Sequence, residues 1–249
     1  MESKQISVAA VYTAPRYENV YCRNAIELAL RDAKIPLNIS QGVFYGQCMQ
    51  NLISNIIDQA DVILTLDGDS LFNAGHVMRL LSVLISHDEI DALAAIQARR
   101  GKNGHLFSLD ARETVTIGVH PDSPFRVKTA HFGLTAIKTA KLKPIPKPWF
   151  AAVPGPGGSW EADSGKIDDD VYFWKQWDAA GNTVYVDPGC RIGHCEEMIS
   201  YYDDRLQVRA CYPAEWHDMQ REKIESARRE EHDTDSRKYA EHWPALQSV

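Results

Sequence analysis

The sequence lacks long hydrophobic runs and an excess of basic residues. None of its apolar stretches approaches the ~20 residues that a membrane-spanning helix needs. Its 27 Lys and Arg against 34 Asp and Glu leave a formal net charge of −7, which argues against a general nucleic-acid-binding surface. The polar segment Met1–Gln5 does not look like a signal peptide. We therefore expect a soluble cytoplasmic protein.

Cysteines are few and scattered along the chain. An odd number of them, five, at irregular spacing favours free thiols in a reducing compartment over a disulfide framework. Cys190, His194 and Cys195 lie close enough in sequence to suggest a zinc site. No second CxxC-like pair accompanies them, so zinc is the less favoured interpretation.

The first hundred residues alternate between strand-like and helix-like patterns. The continuous apolar runs Ile6–Tyr12 and Val62–Leu66 are typical of buried parallel strands, and Ala92–Ile96 predicts another strand. Apolar residues at helical spacing between Cys22 and Ala33, and again between Val77 and Ile85, predict amphipathic helices. This β-α-β-α order predicts a mostly parallel sheet with helices on both faces.

The pattern is less regular after residue 100. A helix is predicted over Asp169–Ala180, ended by Gly181, and a turn is predicted at Asp187–Gly189. We predict one α/β domain over residues 1–213 and a charged helical extension over residues 214–249. Three further strand-like segments are Thr114–Val119, Arg126–Lys138 and Val184–Val186.

The strongest single motif is Asp67-Gly68-Asp69, which directly follows a strand-like run. Ligand sites of α/β sheets lie at the carboxyl ends of their strands. Two carboxylates at i and i+2 on extended chain point to the same side. Such oxygen ligands suit Mg²⁺ or Mn²⁺ bridging a diphosphate, although Asp-Gly is also a common turn dipeptide.

Three consecutive acids and a late histidine are further candidates. Asp168, Asp169 and Asp170 begin the predicted helix, where one or two would offset the helix dipole. A carboxylate on a first helical turn beside the Gly-rich loop that holds Trp160 is well placed as a general base. His194 follows the last strand, and its imidazole is a candidate ligand for an ion such as Mn²⁺.

In order along the chain, these features resemble the GT-A glycosyltransferases, in particular the inverting family-2 enzymes. The resemblance runs from Ile6 to about Met198. The segments that carry it are Val11–Arg16, the DxD-like Leu64–Asp69, Thr129–Leu134 before Pro148-Trp149-Phe150, the ED-like Asp169–Phe173, and Gly193-His194.

The resemblance implies a GT-A fold with a small acceptor-side sheet. It also implies metal-dependent, inverting transfer from a nucleoside-diphosphate sugar, with UDP as the default nucleotide. Asp170 or Asp169 would act as the base. Mn²⁺ or Mg²⁺ would be held by Asp67, Asp69 and His194. The donor would be bound by Thr13, Ala14, Pro15, Arg16, Asp67, Gly68, Asp69 and Trp160.

Other interpretations remain open. Leu64–Asp69 also resembles the first motif of haloacid-dehalogenase-like phosphatases, in which Asp67 would be the nucleophile. A non-catalytic nucleotide- or sugar-binding module would keep the same fold. The acceptor is not encoded in any readable motif, so a saccharide, a lipid-linked sugar, a protein or a modified nucleobase fits equally. The charged extension is a candidate dimerisation element.

Overall fold

A computed structural model describes residues 6–14, 18–99, 104–109, 123–161, 163–203 and 205–242. The chain divides into two compact units, Met1–Cys195 and Glu196–Val249. The domain boundary predicted between residues 213 and 214 stays a prediction. Within the described residues, no helix is both long and apolar enough to cross a membrane.

A large mixed sheet forms the centre of the first unit. Its strands are β1 Val8–Ala14, β2 Leu37–Gln41, β3 Val62–Leu66, β4 Ser70–Leu71, β5 Ala92–Gln97, β7 Phe125–Val127, β9 Leu134–Lys138 and β10 Val184–His194. They lie in the order β2-β1-β3-β9-β5-β10-β4, with β7 paired to β10. β2 and β3 run parallel to β1, and β10 runs parallel to β5, whereas β9 runs antiparallel between β3 and β5.

Helices cover both faces of this sheet, and two hydrophobic clusters fill the space beneath them. Asn19 caps the first helix by accepting from Tyr21 N and Cys22 N, and Asn73 with His76 forms a capping box on the third. The helices are α1 Val20–Ala33, α2 Tyr45–Ile56, α3 Ala74–Ser86, α4 Thr139–Leu142 and α5 Asp169–Ala179. The predicted α/β architecture is confirmed.

The predicted turn at Asp187–Gly189 is wrong, because β10 continues through it to His194. The register shifts between Asp187 and Arg191, so Pro188 sits in a bulge and its missing N–H costs no ladder bond. Asp187, fully buried, accepts from Arg79 Nε at 2.7 Å and from Arg79 Nη2 at 2.9 Å, which fixes the bulge against α3. The extra length of β10 is what carries His194 to the site.

The segment Arg126–Lys138 is not one strand. It divides into β7, the short β8 (Thr129–Ala130) and β9, and β8 pairs with β6 (Phe107–Ser108) in a separate small sheet. A buried bend at residues 131–133, in which Gly133 N donates to His131 Nδ1 at 2.9 Å, separates β8 from β9. The strand predicted at Thr114–Val119 lies outside the described residues.

The second unit contains a hairpin and a long helix. β11 (Ile199–Tyr202) pairs antiparallel with β12 (Val208–Cys211), and α6 spans Pro213–His242. Tyr201 packs edge-on against Trp216, with ring centroids 5.0 Å apart. The helical character predicted for the charged C-terminal segment therefore agrees with α6.

Candidate active site

The Asp67–Asp69 turn lies where β3 ends at the carboxyl edge of the sheet. Ser70 N donates to Asp67 O at 3.2 Å, and the chain then enters the two-residue strand β4. β4 pairs antiparallel with the end of β10, so that His194 lies opposite Ser70. This pairing brings residues that are 125 positions apart into one site.

Asp69 and His194 are in direct contact. His194 Nε2 lies 3.2 Å from Asp69 Oδ2, and His194 Nδ1 lies 2.9 Å from Ala98 O. A carbonyl oxygen only accepts, so Nδ1 carries a proton and donates it to Ala98. In the neutral ring the lone pair of Nε2 then faces a carboxylate oxygen, and a proton or a metal ion between them removes the repulsion.

These two side chains fit adjacent positions around an octahedral divalent ion. Bonds of about 2.1 Å at right angles separate adjacent ligand atoms by about 3 Å, close to the Asp69–His194 separation. A metal-bound histidine also commonly donates its other ring N–H to a carbonyl, as His194 does. Among the described residues, no group of three His, Cys, Asp or Glu is arranged to hold a metal.

Asp67 lies among other negative charges. Burial raises the pKa of Asp67 to about 7, with the charges of Asp69 and Asp170 contributing in the same direction. The hydroxyl of Tyr45, at the start of α2, neighbours Asp67 and lowers this pKa, yet the hydroxyl has no partner within direct hydrogen-bond distance among the described residues. The site thus holds carboxylates whose mutual repulsion a cation would relieve.

Replacing Asp67 by Asn is expected to stabilise the metal-free protein above pH 7. The folded-state pKa exceeds that of an unfolded aspartate, so the folded state binds the proton more tightly and loses stability as pH rises from about 4 to 7. Asp67→Asn removes that loss, a gain of roughly 1–3 kcal/mol in the free energy of unfolding. Urea titrations at pH 5 and pH 8 measure it. Equal effects at both pH values would contradict the assignment.

The three consecutive acids take different positions at the start of α5. Asp168 is exposed and pairs with Lys166 at 3.0 Å. Asp169 packs against α2 so closely that a Cβ on Gly46 would lie 2.7 Å from Asp169 Oδ2. Asp170 is partly buried, and burial raises its pKa, with the charges of Asp169 and Asp168 adding to the effect. Asp170 combines an electrostatic interaction with Asp67 and a raised pKa.

The other predicted donor residues are less closely grouped. Thr13 and Ala14 end β1 at the same edge of the sheet and are buried, while Pro15 and Arg16 lie outside the described residues. Trp160 is 54% exposed in a loop whose ends are joined by a Val153–Ile167 bridge. Trp149, from the Pro148-Trp149-Phe150 segment of the resemblance, is buried in the core, with its indole N–H donating to Ile145 O.

Three site neighbours were not predicted from sequence: Tyr45, Gln97 and Ala98. Gln97 had a signal, because an amide ending the apolar run of β5 must find partners when buried. Ala98 acts through its carbonyl, and Tyr45 begins an otherwise ordinary helix, so neither had one. Cys190, considered for zinc, is buried within β10 near His76 O and does not contribute to a metal-binding cluster among the described residues.

No known protein-family model matches this sequence. No curated protein matches it in sequence either.

Solved structures do resemble it in fold. GalNAc-T7 with UDP, GalNAc and Mn²⁺ aligns with a TM-score of 0.52 and 11% identity over 79% of this chain and 45% of that chain. A197 from STIV aligns with a TM-score of 0.48 and 14% identity over 82% of this chain and 94% of that chain. The Pyrobaculum calidifontis mannosyltransferase PcManGT, in complex with GDP-Man and Mn²⁺, aligns with a TM-score of 0.46 and 10% identity over 78% of this chain and 58% of that chain. The chain spans less than half the length of GalNAc-T7. The similarity to GalNAc-T7 shows a shared fold, and this chain accordingly has a GT-A-like fold.

Proposed function

We propose that this protein is a metal-dependent glycosyltransferase of the family-2 type, with Asp67–Asp69 as its DxD motif. It would transfer a sugar from a nucleoside-diphosphate sugar, with UDP as the first nucleotide to test, to an acceptor hydroxyl with inversion at the anomeric carbon. The observation that carries the proposal is the meeting of Asp69 and His194 at the carboxyl edge of the sheet, beside Asp67 and Asp170. The structural neighbour GalNAc-T7 was crystallised with UDP, GalNAc and Mn²⁺, which supports the same ligand class.

The bound Mn²⁺ or Mg²⁺ would neutralise charge on the diphosphate leaving group. Asp69 and His194 are the residues that would hold it, and the hydrogen bond from His194 Nδ1–H to Ala98 O turns Nε2 toward Asp69, where the ion would bind. Asp67, adjacent to the buried Tyr45 hydroxyl, would interact with the ribose or with water in the coordination shell. Thr13, Ala14, Pro15, Arg16, Gly68 and Trp160 remain the proposed donor-binding residues.

Asp170 is the proposed general base, and Asp169 is the alternative. Asp170 Oδ1 accepts from Val171 N at 2.7 Å, which orients the carboxylate on the first turn of α5. Its other oxygen would take the proton of the acceptor hydroxyl as that oxygen attacks the anomeric carbon. A positioned base of this kind contributes typically ~10²–10⁴-fold to the rate. Asp169 is less suited because its carboxylate packs against Gly46.

The alternatives make different predictions. A phosphatase would use Asp67 as a nucleophile and form an aspartyl-phosphate, but the GT-A-like neighbours do not favour that fold. A non-catalytic module would bind nucleotide with Mn²⁺ and release no sugar. The acceptor stays open among a saccharide, a lipid-linked sugar, a protein and a modified nucleobase, and homodimerisation through the charged extension stays a prediction.

A thermal-shift screen tests the donor class directly. We expect UDP, GDP and their sugars to raise the melting temperature only when Mn²⁺ is present. A nucleotide at 100 times its Kd stabilises the folded state by about 2.7 kcal/mol, which a melting curve resolves. Release of nucleoside diphosphate from the stabilising sugar nucleotide then separates a transferase from a binding module. If no nucleotide sugar stabilises the protein with Mn²⁺, the proposal fails.

A further inference from the structure

Gln97 joins the two strands that carry Asp69 and His194. It ends β5, is 3% exposed, and donates from one nitrogen to Ser70 Oγ at 3.1 Å and to Gly193 O at 3.0 Å. Ser70 directly follows Asp69, and Gly193 directly precedes His194. A single buried amide therefore contacts the residue next in sequence to each of the two proposed metal ligands.

The orientation of this amide follows from its partners. Gly193 O is a carbonyl and only accepts, so the atom of Gln97 that faces it must be the NH₂ group. Both hydrogens of that group are then used, one on Gly193 O and one on Ser70 Oγ. A carboxylate in the same place would set two acceptors against each other, which makes Gln97→Glu an isosteric test of these bonds.

The surroundings leave the amide little freedom to move. A Cβ on Gly133 would lie 2.5 Å from Ser70 Oγ, 2.8 Å from Gln97 Oε1 and 2.9 Å from His131 Nδ1. Gly133 therefore packs directly against these three side chains. His131 is held in place by Ala95 O, to which its Nε2–H donates at 2.8 Å, and by Gly133 N, which donates to Nδ1 at 2.9 Å. The Gln97 amide and the His131 ring are thus each oriented by two hydrogen bonds.

The strands alone hold the two ligands weakly. β4 has only two residues, it pairs with β10 through Leu71–Gly193 and Ser70–His194, and one more backbone bond, from Cys195 N to Asp69 O at 2.7 Å, extends this pairing. Such a short ladder gives little resistance to slippage, whereas a metal site needs its ligand atoms within a few tenths of an ångström. The Gln97 amide supplies side-chain bonds across the same junction.

We propose that Gln97 is a positioning residue that sets the separation of Asp69 and His194 for binding of the divalent cation. This role rests on the metal site of the proposed function. Gln97 does not contact the ion. It holds the ends of β4 and β10 at the spacing in which Oδ2 of Asp69 and Nε2 of His194 lie 3.2 Å apart. Residues that orient metal ligands in this way typically contribute 10–100-fold to metal affinity.

The test compares Mn²⁺ affinity in the presence of UDP for the wild type, Gln97→Glu, Gln97→Met and the control Thr139→Val. Thr139 is also buried, and its hydroxyl lies within bonding distance of Ala60 O and Asp61 O, away from the β4–β10 junction. The electron paramagnetic resonance signal of free Mn²⁺ gives the affinity, and thermal melting gives the stability of each variant. Both Gln97 variants should bind Mn²⁺ 10–100-fold more weakly, and Thr139→Val should match the wild type whatever its melting temperature.

The outcomes separate this inference from the proposed function. If the wild type with UDP does not reduce the free Mn²⁺ signal, the metal site itself is wrong. If the wild type binds Mn²⁺ and a folded Gln97 variant binds it equally well, the positioning role is overturned and the site stands. A loss of affinity in Thr139→Val equal to that in Gln97→Met would show a general stability effect and also overturn the role. Gln97→Met carries the test if Gln97→Glu does not fold.

Discussion

Asp69→Asn and His194→Ala are each expected to abolish the Mn²⁺-dependent stabilisation by UDP and to lower sugar transfer about a thousandfold. Each change removes one of the two side chains that would hold the ion. A metal ion that neutralises a leaving group lowers the activation barrier by several kcal/mol, and each 1.36 kcal/mol changes the rate tenfold. Melting curves with UDP and Mn²⁺ measure the first effect, and release of UDP from a UDP-sugar measures the second.

The matched control is His87→Ala. His87 is the residue after α3, is exposed and contacts Glu89 at 2.9 Å, so it resembles His194 in type but not in position. It should retain the full Mn²⁺ effect. Retention of that effect in His194→Ala, with loss only in Asp69→Asn, would remove the histidine from the metal site and leave a single protein ligand.

Asp170→Asn is expected to lower transfer by ~10²–10⁴-fold while leaving the stabilisation by UDP and Mn²⁺ intact. The amide keeps the bond from Val171 N but accepts no proton from the acceptor. Because burial raises the pKa of Asp170, the wild-type rate should rise with pH and reach its plateau above the range in which an ordinary aspartate titrates. Nucleoside diphosphate release at saturating donor, measured across pH, tests both points.

Variants of the two neighbouring acids, Asp168 and Asp169, are the controls for Asp170→Asn. Asp168→Asn should be neutral, because Asp168 is exposed and pairs only with Lys166 among the contacts described. Asp169→Asn should act mainly on stability, through the packing of its carboxylate against Gly46. A loss of transfer in Asp169→Asn with full activity in Asp170→Asn would reverse the assignment of the base.

Much of the fold was predictable because its central strands, such as β1 and β3, are buried on both faces. Val62–Leu66 coincides with β3, and the helical spacing between Val77 and Ile85 lies within α3. Such segments are specified by local hydrophobic pattern. The antiparallel β9 between β3 and β5 was not predictable, because strand direction depends on pairing between distant segments. The passage of β10 through Pro188 depends likewise on the Arg79–Asp187 pair, which no local pattern indicates.

The proposed site divides in the same way. Asp67, Asp69 and Asp170 stand in motifs with positional meaning, next to a strand end or a helix start. Their supporting groups do not. The carbonyl of Ala98 carries no side-chain signature, and the amide that ends β5 signals that Gln97 needs partners but not that those partners lie on β4 and β10. Sequence thus indicated the groups suited to the chemistry, whereas the groups that orient them required coordinates.

A divalent cation is proposed to bind between Asp69 and His194. Electron spin-echo envelope modulation of Mn²⁺ bound with UDP detects a directly coordinated imidazole through coupling to its ¹⁴N nucleus. We expect that coupling in the wild type and in His87→Ala, and its loss in His194→Ala. Bound Mn²⁺ without any ¹⁴N coupling in the wild type would show that His194 does not bind the ion.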